Sequence, residues 1–187
     1  MKILIVSGFL GAGKTTFIKR LARNVDQRFA ILENEYGAAG IDGARLGQNR
    51  QGTQKNVWEM TEQCICCIGK KDFAASVLTI ANVVDPEYLI VEPTGVGSLA
   101  RIIENLRQIE YERIQLLSPV TIVDVYSYRH YMAEYPELYQ DQIRSADTII
   151  VSKTEACQAE EKQRIQKFLQ EINLSLIHIS EPTRLQL

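Results

Sequence analysis

The chain has 187 residues, a formal net charge of −2 and 24% charged residues. This length favours one domain with a sizeable core, and the slight acidity gives no reason to expect nucleic acid as a partner. No apolar run approaches the roughly 18 residues that would span a bilayer, so no membrane association is predicted. Three of the four cysteines fall within four residues, unlike the disulfide framework of a secreted protein. These features predict a cytoplasmic protein.

The chain begins with a predicted strand, a glycine-rich turn and a helix. Residues 3–6 are a continuous apolar run, typical of a parallel strand buried on both faces. The following segment, GFLGAGKT, fits the phosphate-binding pattern G-x-x-x-x-G-K-S/T without a mismatch. Lys14 is expected to neutralise the β- and γ-phosphates, and the Thr15 hydroxyl to bind Mg²⁺. The predicted phosphate-binding residues are Gly8, Gly11, Ala12, Gly13, Lys14, Thr15 and Thr16.

A second predicted strand, residues 29–32, ends in a pair of glutamates. Glu33 and Glu35 lie in the segment ENEYGAAGIDG, whose glycines predict a loop able to move. In a P-loop GTPase this region lies where a switch responds to the γ-phosphate. Residues 44–56 are polar and predict a flexible excursion.

The next feature is the cysteine cluster Cys64, Cys66 and Cys67. Thiolates are soft ligands that favour Zn²⁺, Cu(I) or iron–sulfur chemistry, and structural zinc sites normally use four protein ligands. Because no second cysteine hook is present, the cluster favours a site with one exchangeable position, with Glu33 and Glu35 as candidate oxygen ligands. A redox switch using Cys64 and Cys67, and buried structural cysteines, are the alternatives.

Residues 70–84 predict a helix, and the apolar run that follows predicts a third strand. In YLIVEPTGVG, residues 88–97, this strand delivers Glu92 to the carboxyl end of the sheet, where α/β folds bind ligands. A carboxylate there suits a magnesium-coordinating or water-holding role, so Lys14, Thr15 and Glu92 are the predicted catalytic residues. Gly95 can offer its N–H to a γ-phosphate.

Two further strands precede the base-binding motif. One ends at Asp124, and the other leads into Ser152-Lys153-Thr154-Glu155, where GTPases usually carry N-K-x-D. Ser152, Lys153 and Glu155 are the predicted base contacts, with guanine favoured over adenine. Between the two strands, the tyrosine-rich residues 126–145 predict a helical surface or a partner patch.

The chain ends in an unusual segment. Residues 174–184, LSLIHISEPTR, match the in-frame translation of a transposon-type sequencing adapter. We therefore predict that native sequence stops near Asn173 and that residues 174–187 are a non-native tail. The alternative is a natural strand, since LSLIHI alternates with period two.

Five segments occur in one order along the chain: GFLGAGKTT, ENEYGAAGIDG, CICC, EPTGVG and SKTE. Together they resemble the CobW-type (CobW/HypB/UreG-like) P-loop GTPases over residues 1 to about 172. The resemblance implies GTP hydrolysis coupled to handling of zinc, cobalt, nickel or iron, with a client metalloprotein or cofactor-synthesis enzyme as partner. It also implies a further strand and a smaller C-terminal domain. Gln63, where the family usually has glycine, and S-K-T-E are departures.

The sequence therefore predicts a three-layer α/β P-loop NTPase domain over residues 1–173, with a mostly parallel sheet that lacks its last strand. The predicted function is slow GTP hydrolysis that drives delivery or insertion of a transition metal, zinc or cobalt class. The predicted cofactors are GTP, Mg²⁺ and Zn²⁺ (or Co²⁺/Ni²⁺). An ATP-using small-molecule kinase and a thiol redox-sensing module stay open, as does a homodimer.

Overall fold

The computed structural model describes residues 1–24, 27–33, 57–61, 70–173 and 178–180. Side chains are described throughout these ranges except at residues 33, 57–61, 70–72 and 178–180. The strands are β1 (Lys2–Gly8), β2 (Phe29–Glu33), β3 (Val57–Thr61), β4 (Tyr88–Glu92), β5 (Gln115–Leu116), β6 (Val120–Asp124), β7 (Thr148–Ser152) and β8 (His178–Ser180). The helices are α1 (Lys14–Asn24), α2 (Lys70–Val83), α3 (Leu99–Arg107), α4 (Tyr128–Glu134), α5 (Pro136–Arg144) and α6 (Ala159–Ile172).

All of these strands belong to one parallel sheet. Its order is β3-β2-β4-β1-β6-β7-β8, with the short β5 paired to β1, and every pairing between these strands is parallel. The central position of β1 places the glycine-rich turn at the middle of the carboxyl edge. The predicted α/β fold with a mostly parallel sheet is confirmed.

Both faces of the sheet are buried, which explains the continuous apolar runs of its strands. Successive strand residues alternate between two apolar clusters: Ala30 and Leu32 lie in one, and Phe29 and Ile31 in the other. Of the described helices, α1 packs in the second cluster and α2, α3, α4, α5 and α6 in the first. Their apolar residues recur three or four positions apart, as in Phe73, Val77 and Ile80 of α2. The molecule therefore has the predicted three layers.

Two strands differ from the expectation. The sequence analysis did not predict β3, which pairs with β2 from the Phe29–Val57 register onward. The sheet was also expected to lack its last strand, but β8 lies parallel to β7 at that edge, with His178 opposite Thr148. The period-two alternation of this segment accounts for a strand here. Whether residues 174–187 are native stays a prediction.

The tyrosine-rich segment is more deeply packed than the sequence suggested. Residues 126–145 do form helices, α4 and α5, but Tyr128 and Tyr139 are each only 3% exposed. The expectation of a helical surface or partner patch is therefore wrong for these two tyrosines, because they belong to the main core. No helix in the described ranges is long and apolar enough to cross a membrane.

The phosphate-loop residue Phe9 packs against three tyrosines of this segment, one of which is the buried Tyr139. Phe9 is 2% exposed, and the centre of its ring lies 4.5 Å from that of Tyr131, 5.5 Å from Tyr135 and 5.3 Å from Tyr139. Such tilted and edge-on aromatic pairs stabilise beyond the area that they bury. The loop after β1 is therefore anchored by an aromatic side chain inserted between α4 and α5.

We expect Phe9→Ala to lower the free energy of unfolding by about 3–5 kcal/mol, the usual cost of a cavity left by a buried aromatic ring. The neighbouring Leu10→Ala is the matched control, because Leu10 is 57% exposed. Its cost should stay within about 1 kcal/mol. Urea denaturation followed by circular dichroism measures both, and equal losses would contradict the anchoring role of Phe9.

Candidate functional site

The glycines of the turn between β1 and α1 have backbone conformations that other residues rarely adopt. Gly11 and Gly13 have φ angles of 72° and 100°. Gly8 has a φ of 142°, and a Cβ there would overlap the backbone of Ile122 on the neighbouring strand. Glycine is required at Gly8 for close approach and at the other two positions for a positive φ. The turn thus has the local conformation that the sequence pattern predicts.

Lys14 and Thr15 open helix α1 beside this turn. Lys14 is 8% exposed, and its Nζ donates to the carbonyl oxygen of Phe9 at 3.3 Å, across the loop. Thr15 is half-buried, and its Oγ1 donates to Oε1 of Glu92 at 3.2 Å. The hydroxyl and the carboxylate therefore meet at the positive end of α1, and the ammonium spans the adjoining loop, an arrangement suited to phosphate and its counter-cation.

Glu92 reaches this position because β4 pairs directly with β1. The register places Leu4 opposite Ile90 and Ile5 opposite Val91, so both strands end at the same edge. Adjacent to it, Glu33 ends β2 with its backbone opposite Glu92. The structure thus brings Lys14, Thr15 and Glu92 together, as the sequence analysis expected of its catalytic residues. Their roles stay predictions.

The loop that follows β4 touches the phosphate loop. A Cβ on Gly95 would lie 2.7 Å from the backbone nitrogen of Leu10 and 3.0 Å from the Cγ and Cδ2 atoms of its side chain. Distances this short to a backbone atom exclude any side chain at Gly95. Gly95, the predicted γ-phosphate contact, therefore lies directly against Leu10 of the phosphate loop.

The base-motif loop after β7 is tied to the phosphate loop by its first residue. Ser152 is 7% exposed, and its Oγ donates to the carbonyl oxygen of Ala12 at 2.7 Å. The next residue, Lys153, has a φ of 60°, a left-handed conformation uncommon outside glycine. Glu155 is exposed. These three predicted base contacts follow one another at the carboxyl end of β7.

Asp124 is a site residue to which the sequence analysis gave no role. It is 6% exposed, its Oδ2 accepts from Nζ of Lys153 at 2.7 Å, and its Oδ1 accepts from the backbone N–H of Tyr126 at 2.9 Å. Burial, with the Asp124 carboxylate adding to it, raises the pKa of the Tyr139 phenol above its ordinary value, so this phenol stays neutral. The sequence signal for Asp124 was an aspartate at the end of a buried strand. Its pairing with Lys153 could not be predicted, because the lysine lies 29 residues later in the chain.

The predicted transition-metal ligands lie outside this description. Cys64, Cys66, Cys67 and Glu35 fall outside the described residues, and only the backbone of Glu33 is described. Within the described ranges, no group of three or more histidine, cysteine, aspartate or glutamate side chains is arranged to hold a metal ion. The metal site is therefore a prediction from the sequence.

We expect Lys153→Met to destabilise the domain by about 1 kcal/mol, because it leaves the Asp124 carboxylate largely buried without its cation. The loss is modest because the lysine side chain is 49% exposed, so solvent screens the pair. Asp124→Asn in the same background should recover part of it. Urea denaturation of both single variants and the double variant measures the coupling, and strictly additive losses would contradict it.

The chain matches known proteins over nearly its whole length. The model of the family "CobW/HypB/UreG, nucleotide-binding domain" matches residues 2–179. The chain is 31% identical over 170 residues to zinc chaperone YeiR of Escherichia coli, covering 89% of this chain and 51% of that protein. It is 27% identical over 194 residues to zinc chaperone CobW of Pseudomonas aeruginosa, covering 88% and 52%. The chain thus spans about half the length of these curated relatives.

Solved structures show the same fold. Zn(II)-bound YjiA GTPase from Escherichia coli has a TM-score of 0.67 at 23% identity, over 92% of this chain and 55% of that one. HypB from Helicobacter pylori in complex with nickel has a TM-score of 0.63 at 17% identity, over 97% and 79%. Since the family model covers the phosphate loop, Glu92 and the base-motif loop, this chain belongs to the CobW/HypB/UreG nucleotide-binding domain family.

Proposed function

We propose that this chain binds GTP and hydrolyses it slowly, and that the cycle drives delivery or insertion of a transition metal. The observation that carries the nucleotide part is the hydrogen bond between Thr15 and Glu92 at the mouth of a phosphate loop whose lysine is buried. Such a loop, with its lysine and helix N-terminus, is suited to a nucleoside triphosphate. Relatives with names such as zinc chaperone support the metal part.

In this proposal the chain acts on the phosphates by position and charge. Backbone N–H groups of the glycine-rich turn and the Lys14 ammonium stabilise the negative charge of the transferred phosphoryl group. Thr16, on the first turn of α1, is also a proposed phosphate-binding residue. We assign to Glu92 the orientation of the attacking water, and to Gly95 an N–H that donates to the γ-phosphate. Positioning of this kind fits a slow intrinsic rate.

The oxygen donors beside Lys14 fit a magnesium ion. Oγ1 of Thr15 and Oε1 of Glu92 lie 3.2 Å apart, and hydroxyl and carboxylate oxygens are the hard ligands that Mg²⁺ prefers. When bound there, the ion supplies positive charge that offsets the charge on the phosphates. These two side chains are therefore the proposed magnesium ligands.

The base loop supports a purine nucleotide and favours guanine. Nζ of Lys153 reaches back to Asp124, so the aliphatic stem of the lysine extends from the end of β7 toward the end of β6 and can lie over a base. The exposed Glu155 carboxylate can accept from guanine N1 and N2. Ser152 acts indirectly in this proposal, by holding the base loop against the phosphate loop.

The metal is the cargo in this proposal. Cys64, Cys66 and Cys67, with Glu33 or Glu35, form the proposed site, with zinc ahead of cobalt or nickel because relatives carry the name zinc chaperone. A relative in Dictyostelium discoideum is named zinc-regulated GTPase metalloprotein activator 1, which supports a client metalloprotein as partner. We place the cycle in the cytoplasm and assign nucleotide binding to residues 1–173.

We expect Lys14→Met to weaken GTP binding about tenfold to a hundredfold, since it removes a charge-assisted hydrogen bond to phosphate. Lys167→Met is the matched control, because Lys167 is exposed on α6. Isothermal titration with GTP, GDP and ATP measures the effect. Unchanged GTP affinity in Lys14→Met would contradict the phosphate site, and tighter binding of ATP than of GTP would favour the small-molecule kinase.

We expect the triple Cys64→Ser, Cys66→Ser, Cys67→Ser variant to lose tightly bound zinc, because thiolates are the soft ligands of the proposed site. Cys157→Ser is the matched control, since Cys157 is half-buried against the main core. Zinc affinity is measured by competition with a chelator, in the presence of GTP and of GDP. Unchanged zinc affinity in the triple variant would contradict the site, and equal affinity with both nucleotides would contradict coupling to hydrolysis.

A further inference from the structure

Two neighbouring polar residues of α5 hold the loop that follows β4. Gln142 is 1% exposed, and its Nε2 donates to the carbonyl oxygens of Gly95 and Gly97, at 3.0 Å each. Leu99 is the first residue of α3, and its backbone N–H donates to Oδ2 of Asp141 at 2.7 Å. Adjacent side chains of one helix therefore grip both the loop and the helix that follows it.

These contacts fix the direction of the Gly95 N–H group. The carbonyl oxygen of Thr94 accepts from the backbone N–H of Gly97 at 2.9 Å, which closes a turn. Because the Thr94–Gly95 peptide is trans, the Gly95 N–H points away from that carbonyl. Gln142 immobilises the carbonyls of Gly95 and Gly97 in the same turn. The carbonyl groups of Thr94, Gly95 and Gly97 therefore all accept hydrogen bonds that hold the turn.

The other side of the turn rests on the phosphate loop. Leu10 packs against Gly95 so closely that a Cβ would meet its backbone nitrogen at 2.7 Å, and the carbonyl oxygen of Leu10 accepts from the hydroxyl of Tyr131 at 3.0 Å. Helix α5 is in turn attached to the sheet, since Oγ1 of Thr121 in β6 donates to the carbonyl oxygen of Gln142 at 2.9 Å. The turn is therefore clamped between α5 and the phosphate loop.

We propose that Asp141 and Gln142 are positioning residues that hold the Gly95 N–H toward the γ-phosphate, so that α5 sets the preference for nucleoside triphosphate over diphosphate. This inference rests on the proposed function. A diphosphate lacks the group that Gly95 contacts, so loosening the turn weakens binding of the triphosphate and leaves that of the diphosphate nearly unchanged. A residue that only stabilises the fold would change both affinities alike.

The test compares Gln142→Met with Asn173→Leu. Asn173 is 6% exposed, and its Nδ2 donates to two carbonyls, those of Ile143 at 2.7 Å and Ala146 at 2.9 Å, where α5 leads into β7. Both substitutions remove an amide that donates to two carbonyls and leave a side chain of similar size. Only Gln142 donates directly to the turn at Gly95, so a loss of stability common to both variants is controlled for.

Isothermal titration with the non-hydrolysable analogue GMPPNP and with GDP gives the result. We expect Gln142→Met to weaken GMPPNP binding about tenfold and GDP binding less than about twofold. Asn173→Leu should leave the ratio of the two affinities unchanged. Both variants should have a lower melting temperature than the wild type. Asp141→Asn should shift the ratio in the same direction by a smaller factor. It replaces Gln142→Met as the deciding variant if the latter does not fold.

The outcomes separate this inference from the proposed function. An unchanged ratio in the deciding variant, with the wild type binding both nucleotides, overturns the positioning role and leaves the proposed function standing. An equal loss for both nucleotides also overturns it, because that is the effect of a structural residue. A wild type that binds neither nucleotide overturns the proposed function, and this inference with it.

Discussion

The arrangement of the whole site depends on the close approach of two backbones, those of Leu10 and Gly95. The phosphate loop follows β1, and the loop carrying Gly95 follows β4, its neighbour in the sheet. Parallel pairing delivers both loops to the same edge, and the absence of a side chain at Gly95 lets them touch. Any larger residue at Gly95 would force the two loops apart, because its Cβ would lie 2.7 Å from the backbone nitrogen of Leu10. The register of β1 and β4 and the contact between Leu10 and Gly95 together set the relative position of the two loops.

Helices α4 and α5 keep these loops in place from outside the sheet. Phe9 inserts between their tyrosines, the hydroxyl of Tyr131 holds the carbonyl of Leu10, and Gln142 holds the turn at Gly95. A phosphate loop needs backbone N–H groups that face an anion without rearranging, because stabilisation of charge is largest when the donors are already oriented. The tyrosine-rich segment therefore belongs to the architecture of the site, although its sequence suggested an outer surface.

Local patterns predicted those parts of the site that are contiguous in sequence. The phosphate loop and the strand ending at Glu92 each combine an apolar run with a turn whose residues have a direct physical role, and such signals can be read without knowing the fold. The pairs Asp124–Lys153 and Gln142–Gly95 leave no such signal, because their partners lie 29 and 47 residues apart. Strand β3 was missed because residues 57–61 lack a clear hydrophobic period. The sequence also could not show that residues 178–180 form a strand of this sheet, because a segment with period-two alternation can pair as a strand whether or not it is native.

The serine that begins the base motif links the loop after β7 to the phosphate loop. Its hydroxyl is short and largely buried, and at 2.7 Å from the carbonyl oxygen of Ala12 it can bridge only if the base loop lies directly against the phosphate loop. The left-handed backbone at Lys153 then turns the chain, so that the lysine reaches Asp124 on the neighbouring strand. The serine that stands in place of the usual asparagine therefore ties the base-motif loop to the phosphate loop.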